Sequence, residues 1–277
     1  MISFDFEYYK PSTIIEAVKT FGSLSMQGKD PLYYSGGTEI ISMARRDDIF
    51  TRAVIDIKGI PECNEFRVQT GKLVTGAALT LTQLEEANIF PLLGKAASKA
   101  ADHTVRNKLT VGGNICGKII FREAVLPFLL SDSQVVLAGK RGVRVVPINQ
   151  AFNKTLQLEK GELLVQLLTE TSYAHLPYIS IKKTKLEKVD YPLVSIDALK
   201  KDNKIRIAFS GVCPFPFRSP KIEEDINNTQ VPLELRISNA VSHLPAPISN
   251  NIEGSAEYRE FVLRNTLSEI IKVFERS

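Results

Sequence analysis

Apolar positions recur along this chain in two periods, and the switches between them outline its elements. Over residues 11–21 the spacing is helical: Ile14, Ala17, Val18 and Phe21 share a face, and Thr13 with Glu16 forms a capping-box pair. Residues 32–34 read as a short strand running into a glycine pair, with a helix starting over 39–44. Residues 53–57 alternate as a strand, and 66–68 with 73–76 read as a hairpin about Thr70 and Gly71. Thr82 and Glu85 mark a second capped helix, and 91–101 a helix of small residues suited to close packing. A hairpin over 134–138 and 144–146 turns at 139–142, and an apolar strand occupies 163–168.

Beyond residue 170 the pattern becomes antiparallel. Strands are expected over 178–182, 193–199 and 205–209, the last two joined through Asp202 and Asn203. Residues 213–220 carry three prolines and form an extended connector. Pro245 and Pro247 precede a final helix over about 255–276, with Tyr258, Phe261, Val262, Ile270, Ile271 and Phe274 as its apolar stripe. Strands and helices mix without regular βαβ alternation, which gives an α+β fold. The expected division is a domain over 1–170, with subdomains about 1–56 and 57–170, and a C-terminal domain over 171–277 built on an antiparallel sheet.

Two glycine-rich stretches stand out against this pattern. One is Tyr34, Ser35, Gly36, Gly37, Thr38, Glu39; the other is Thr110, Val111, Gly112, Gly113, Asn114. Glycine admits φ > 0 and removes Cβ from a close contact, so the backbone N–H groups of such a loop can surround a phosphate. Two loops suit a diphosphate held from both sides. Neither matches the Rossmann or P-loop fingerprint, and each taken alone reads as a turn.

Charge and cysteine content narrow the classes. A net charge of +4 with no aromatic basic stripe gives no reason to expect nucleic acid. No apolar run is long enough to span a membrane, and the N-terminus lacks a signal-peptide pattern. Cys63, Cys116 and Cys213 are few, scattered and odd in number, so neither a disulfide framework nor an iron–sulfur cluster is expected on this chain, and a cytoplasmic setting fits.

With these motifs in view, the chain resembles the flavoprotein subunit of molybdenum hydroxylases. YSGGTEI resembles that family's AGGT[DE]L loop, and HTVRNKLTVGGNI its IRNxxTIGGN loop. VTGAALTLTQLE, VDYPLVSIDA and GSAEYREFVLRNTL resemble three further family blocks, and all five stand in the family's order across nearly the whole chain. The resemblance implies an FAD-binding fold of the cresol methylhydroxylase and vanillyl-alcohol-oxidase type, followed by a C-terminal α+β domain. The family includes the medium subunit of carbon monoxide dehydrogenase and the FAD subunits of xanthine dehydrogenases. A short, separately encoded FAD subunit of a purine-catabolic xanthine dehydrogenase is the nearest in size.

The resemblance also implies roles. Tyr34, Ser35, Gly36, Gly37, Thr38, Glu39, Ile40 and Ile41 contact the FAD diphosphate through backbone N–H groups and the Thr38 hydroxyl. Thr110, Val111, Gly112, Gly113 and Asn114 line its other side. Glu123 stands where the family has an aspartate for adenosine or ribose hydroxyls, although CGKIIFRE over 116–123 replaces the usual run. Leu164 presents its backbone to the flavin ring, Lys182 lies near the pyrimidine end of the isoalloxazine, and Tyr191 covers one flavin face.

The residues alone leave alternatives. Lys182 also suits a solvated loop with Lys183, Lys185 and Lys188, and Tyr191 a plain strand position. His103, His175 and His243 suggest no catalytic acid or base. The preferred expectation is an electron-transfer subunit. A molybdopterin-binding partner oxidises a purine-like substrate, a partner with [2Fe–2S] clusters passes electrons to FAD here, and NAD or another acceptor takes them. A stand-alone flavin oxidoreductase of the same superfold, or a structural subunit that has lost FAD, are the alternatives.

Overall fold

The computed structural model describes residues 2–186 and 190–276; Lys188 and Val189, which belong to the lysine-rich loop and the fourth block above, lie outside the described residues. The chain opens with β1 (Glu7–Tyr9) and α1 (Ile14–Met26), capped by Thr13, whose side chain accepts the Glu16 N–H at 3.2 Å. The reciprocal bond is displaced by one residue, since the Glu16 carboxylate takes the N–H of Ser12. β2 (Leu32–Tyr34), α2 (Thr38–Arg45) and β3 (Ala53–Asp56) complete a three-stranded parallel sheet in the order β1-β3-β2. β4 (Phe66–Gln69) and β5 (Lys72–Gly76) form the expected hairpin, with Thr70 and Gly71 at φ 50° and 75°. That left-handed pair matches the twist of the strands it joins.

α3 (Leu81–Ala87) is capped by Thr80 rather than Thr82. Thr80 Oγ1 accepts the Gln83 N–H and the Gln83 side chain accepts that of Thr80, a capping box two residues earlier than the expected one. α4 (Pro91–Ala97), α5 (His103–Arg106), α6 (Val111–Cys116) and α7 (Leu126–Leu130) follow. β6 (Gln134–Gly139) and β7 (Gly142–Pro147) are the second hairpin, then come α8 (Ile148–Ala151), β8 (Phe152–Asn153), β9 (Thr155–Leu156) and β10 (Leu163–Glu170). β10 joins both hairpins into one antiparallel sheet, β4-β5-β10-β6-β7. β11 (Tyr178–Thr184), β12 (Pro192–Lys201), β13 (Lys204–Ser210) and β14 (Phe217–Arg218) form the antiparallel sheet expected for the C-terminal part. α9 (Pro220–Asn227), α10 (Leu233–Ser242) and α11 (Ala256–Arg276) end the chain.

The elements fall into two compact units. The first comprises Met1–Leu84, His103–Ile119 and Asp132–Thr171, and the second Glu85–Asp102, Ile120–Ser131 and Ser172–Ser277. The change of pattern near residue 170 is thus a unit boundary, but two earlier segments, carrying α4 and α7, belong with the C-terminal residues. In the second unit Val194, Ile196 and Ala198 of β12 pack with Ile222, Ile237, Leu263, Leu267 and Ile270 of the helices in one apolar core. α4 and α7 make contacts with β11, β12 and β13 of the same sheet.

α11 departs from its expected stripe. Tyr258 and Phe261 are exposed, and Arg259 is buried in their place. The Arg259 guanidinium donates to the carbonyls of Ser249 (3.0 Å), Pro192 (3.1 Å), Leu193 and Gly211 (3.0 Å), and to Asn251 Oδ1 (2.8 Å). A planar fork of five donors is what such a set of acceptors needs. It fastens α11 to the start of β12, immediately after Tyr191. Arg259→Met should destabilise the protein by at least about 3 kcal/mol, because buried carbonyls lose their donors at once. Arg259→Lys should recover only a minor part. Urea denaturation of the three proteins reads this directly, and a midpoint for the Met variant within error of the parent would refute it.

Candidate functional site

In the first unit, β2 delivers the chain into Tyr34, Ser35, Gly36 and Gly37, and α2 starts at Thr38. Gly37 has φ 73°, a left-handed conformation, and a Cβ there would lie 2.2 Å from the Tyr34 hydroxyl. A Cβ on Gly36 would lie 1.9 Å from the carbonyl oxygen of Lys108. Each glycine therefore has its own cause: Gly37 sets the turn, and Gly36 lets the first loop touch the segment leading into the second. Glu39 completes the junction by accepting the Lys118 N–H at 2.6 Å.

The consequence lies at the start of α2. Gly37 offers no side-chain cap, and among the described residues the N–H groups of Gly37, Thr38, Glu39 and Ile40 have no protein acceptor. The buried Ser35 hydroxyl is also without a partner. N–H groups at a helix start carry partial positive charge and suit an anion. The cradle therefore fits a phosphate-bearing cofactor. The intermediate exposure of Tyr34, Thr38, Ile40 and Ile41 leaves it accessible.

The second glycine loop is built differently. Val111 N–H donates to Leu79 O, Gly112 N–H to Ala77 O (2.9 Å), Gly113 N–H to Thr110 Oγ1 (3.2 Å) and Asn114 N–H to Thr110 O (2.8 Å). Its amides are occupied within the protein, unlike the open N–H groups that the sequence suggested for both loops. Gly112 is buried, and a Cβ there would meet Ala77 at 2.7 Å, so the glycine permits close packing of α6. The two loops are nevertheless brought together through Gly36 and Glu39.

Lys58 is a member of this site that the sequence reading missed. Its ammonium donates to Ser35 O and to Asp56 Oδ2, both at 2.8 Å, and stands 4.6 Å from the centre of the Tyr34 ring. Burial works to raise the Asp56 carboxyl, but hydrogen bonds from Lys58 and Tyr8 outweigh it and hold the group below its usual range. The same contact pushes the Tyr8 phenol up to about 12. Lys58 thus ties the end of β3 to the loop and adds positive charge beside the unpaired N–H groups. An open cleft lined by Phe6, Tyr8, Ile41 and Arg45 adjoins Tyr34. Leu164 is buried in β10, where the register with β6 slips between Leu164 and Gln166.

The remaining candidates belong to the second unit. Glu123 is 5 % exposed and its carboxylate accepts from the Ser195 hydroxyl at 3.5 Å. Burial raises its carboxyl, against the pull of Lys182. Lys182 is not a solvated loop residue: it lies on β11 and donates to Lys99 O at 2.8 Å. Burial lowers its ammonium, opposed by Glu123 and Asp190. Tyr191 is half exposed and stacks on Phe121 at 4.7 Å and 22°. Phe121 comes from the stretch that departs from the family pattern. The His103 ring meets the side chain of Asn107, just past the end of α5, consistent with a local structural role.

Comparison with known proteins gives the class. Residues 4–168 match the family model described as the FAD binding domain in molybdopterin dehydrogenase. The chain belongs to this family and is an FAD-carrying subunit of a molybdenum hydroxylase. It is 28 % identical to the xanthine dehydrogenase FAD-binding subunit of Escherichia coli O157:H7, covering 97 % of this chain and 96 % of that one. It is 29 % identical to the carbon monoxide dehydrogenase medium chain of Hydrogenophaga pseudoflava over 79 % of this chain and 78 % of the other. A solved carbon monoxide dehydrogenase from the same organism superposes with a TM-score of 0.86 at 25 % identity, covering 97 % and 96 % of the two chains.

Two substitutions separate the parts of the cradle. Lys58→Met removes one cation and its bond to the loop, and should weaken FAD binding roughly fivefold (about 1 kcal/mol) with the fold intact. Gly36→Ala must push the two loops apart, and should weaken binding by at least about tenfold. Quenching of FAD fluorescence on titration with apoprotein measures both. Wild-type affinity in the Gly36 variant would show that the loop junction does not set the cradle.

Proposed function

We propose that this chain is the flavin subunit of a xanthine dehydrogenase-like complex. A molybdopterin-binding partner oxidises a purine-like substrate, a partner bearing [2Fe–2S] clusters delivers the electrons, and FAD on this chain passes them to NAD or another acceptor. The observation that carries the reading is the open set of N–H groups from Gly37 to Ile40, with Lys58 beside them. The relative named as a xanthine dehydrogenase FAD-binding subunit, aligned over nearly the full length of both chains, supports the xanthine-like assignment. When bound, FAD supplies the conversion between electron pairs and single electrons.

The chain's own residues hold and tune. Backbone amides at the start of α2 take the diphosphate charge, and Lys58 fixes the loop that presents them. Lys182, seated on Lys99 O, supplies positive charge for the pyrimidine end of the ring, favouring added negative charge. Tyr191, backed by Phe121, covers a ring face. Among the described residues no group of His, Cys, Asp and Glu could hold a metal ion, and none of the three cysteines is in a disulfide. Molybdenum and cluster ligands therefore come from partners in this reading. No helix of the described residues is long and apolar enough to cross a membrane, and we place the complex in the cytoplasm.

Two measurements test this reading. Anaerobic xanthine should leave the flavin absorbance of the isolated, FAD-loaded chain unchanged and should bleach it once both partners are added. Bleaching of the isolated chain would instead identify a self-contained oxidoreductase. Lys182→Met should lower the flavin midpoint potential while FAD stays bound; an unchanged potential would remove Lys182 from the flavin.

A further inference from the structure

β11 and β12 carry an alternation with an unusual content. Ile179, Ile181, Val194, Ile196 and Ala198 belong to the apolar core beneath the sheet. The intervening positions place Ser180, Lys182, Ser195 and Asp197 on the opposite face, with Ser180 paired to Asp197 and Lys182 to Ser195 in register. Two more charged groups of the same unit meet this face. Lys99, in the turn after α4, donates from its ammonium to the carbonyl and hydroxyl of Ser180, the latter at 3.1 Å. Glu123, before α7, meets Ser195. The Lys182 ammonium returns to Lys99 O, so the two lysines strap one segment from both ends.

The cluster thus sets two half-buried lysines beside two buried carboxyl groups. Asp197 is 3 % exposed; the Ser180 hydroxyl bonds its carboxyl, yet Oδ2 is buried without a donor among the described residues. An ionised carboxylate with a buried unpaired oxygen is costly, and a proton on that oxygen removes the cost. The other charges facing these groups are Lys95 and Lys183 toward Lys99, Glu123 toward Asp197, and Glu123 and Asp190 toward Lys182. Lys183 is in turn paired with Glu269 at 3.6 Å.

We propose that Asp197, with Lys99 opposite, is an exchangeable proton store that fills when negative charge is placed beside Lys182 and empties when that charge leaves. This rests on the reading of Lys182 as the cation at the flavin. In filling, one proton from solvent bonds to Asp197 Oδ2, Lys99 remains an ammonium, and no electron moves on the cluster, whose charge rises by one. Burial raises the Asp197 carboxyl and lowers the Lys99 ammonium, so both lie closer to neutrality than in water and a modest field can change their proton count.

The test uses the full-length, FAD-loaded chain. Its midpoint potential is measured from about pH 6 to about pH 9 in the parent, Asp197→Asn and Lys182→Met. The parent should take up more protons per electron pair than the Asn variant over the neutral range, and the Asn variant should lose the bend in the profile. In parallel, carbon-13 NMR of labelled aspartate in the parent should show the Asp197 carboxyl shifting from ionised to protonated on reduction. Identical pH profiles for parent and Asn variant, or an Asp197 signal unmoved by reduction, overturn the proposal. The NMR arm decides alone if the Asn variant does not fold. An altered potential in Lys182→Met with an unaltered profile in Asp197→Asn rejects the proton store and keeps Lys182 at the flavin. No change in Lys182→Met rejects the underlying reading itself.

Discussion

Four backbone N–H groups at the start of α2 are the constraint around which the first unit is arranged. Among the described residues they have no acceptor, whereas several side chains and carbonyls around them are paired. Ser35 O is taken by Lys58, the Lys58 charge by Asp56, the Asp56 carboxylate by Tyr8, and the Glu39 carboxylate by the N–H of Lys118. Each of these bonds stiffens the frame around the open amides. Unpaired amides in a stiff frame are preorganised for an anion, because little ordering remains to be done on binding.

The glycine motifs were legible in the sequence, but their division of labour was not. Both loops show two glycines after an apolar segment, and that pattern alone suggests two equivalent phosphate cradles. The difference depends on distant backbone. Leu79 and Ala77 accept the amides of Val111 and Gly112, whereas among the described residues nothing accepts those of Thr38 and Glu39. Lys58 was hidden for the same reason, since its role rests on a carbonyl 23 residues back in the chain. Thr80, by contrast, could have been found. The sequence Thr-Leu-Thr-Gln carries the capping-box spacing at Thr80 and Gln83, and the later threonine merely imitates it.

In the second unit the strands were read correctly as strands and incompletely as faces. Residues 193–199 alternate Leu-Val-Ser-Ile-Asp-Ala-Leu, which places Ser195 and Asp197 on one side. Polar residues in alternation usually mark a solvated face. Here α4 and α7 contact the sheet, and Ser195 and Asp197 are buried. Arg259 illustrates the same limit on α11. Its charge argued for the surface, but the carbonyls at Pro192, Leu193, Gly211 and Ser249 needed a donor inside. Helices α9 and α10 were not assigned from sequence, although Ser219 followed by Pro220 is a helix-start signal.

Hydrogen–deuterium exchange with and without FAD tests most directly whether the open amides hold the cofactor. The account predicts that amides of Gly37, Thr38, Glu39 and Ile40 exchange quickly in the apoprotein and slow markedly when FAD binds. Those of Val111, Gly112 and Asn114, bonded within the protein, should exchange slowly in both states. Unchanged exchange at the start of α2, with FAD bound and protection appearing at the second loop instead, would contradict it.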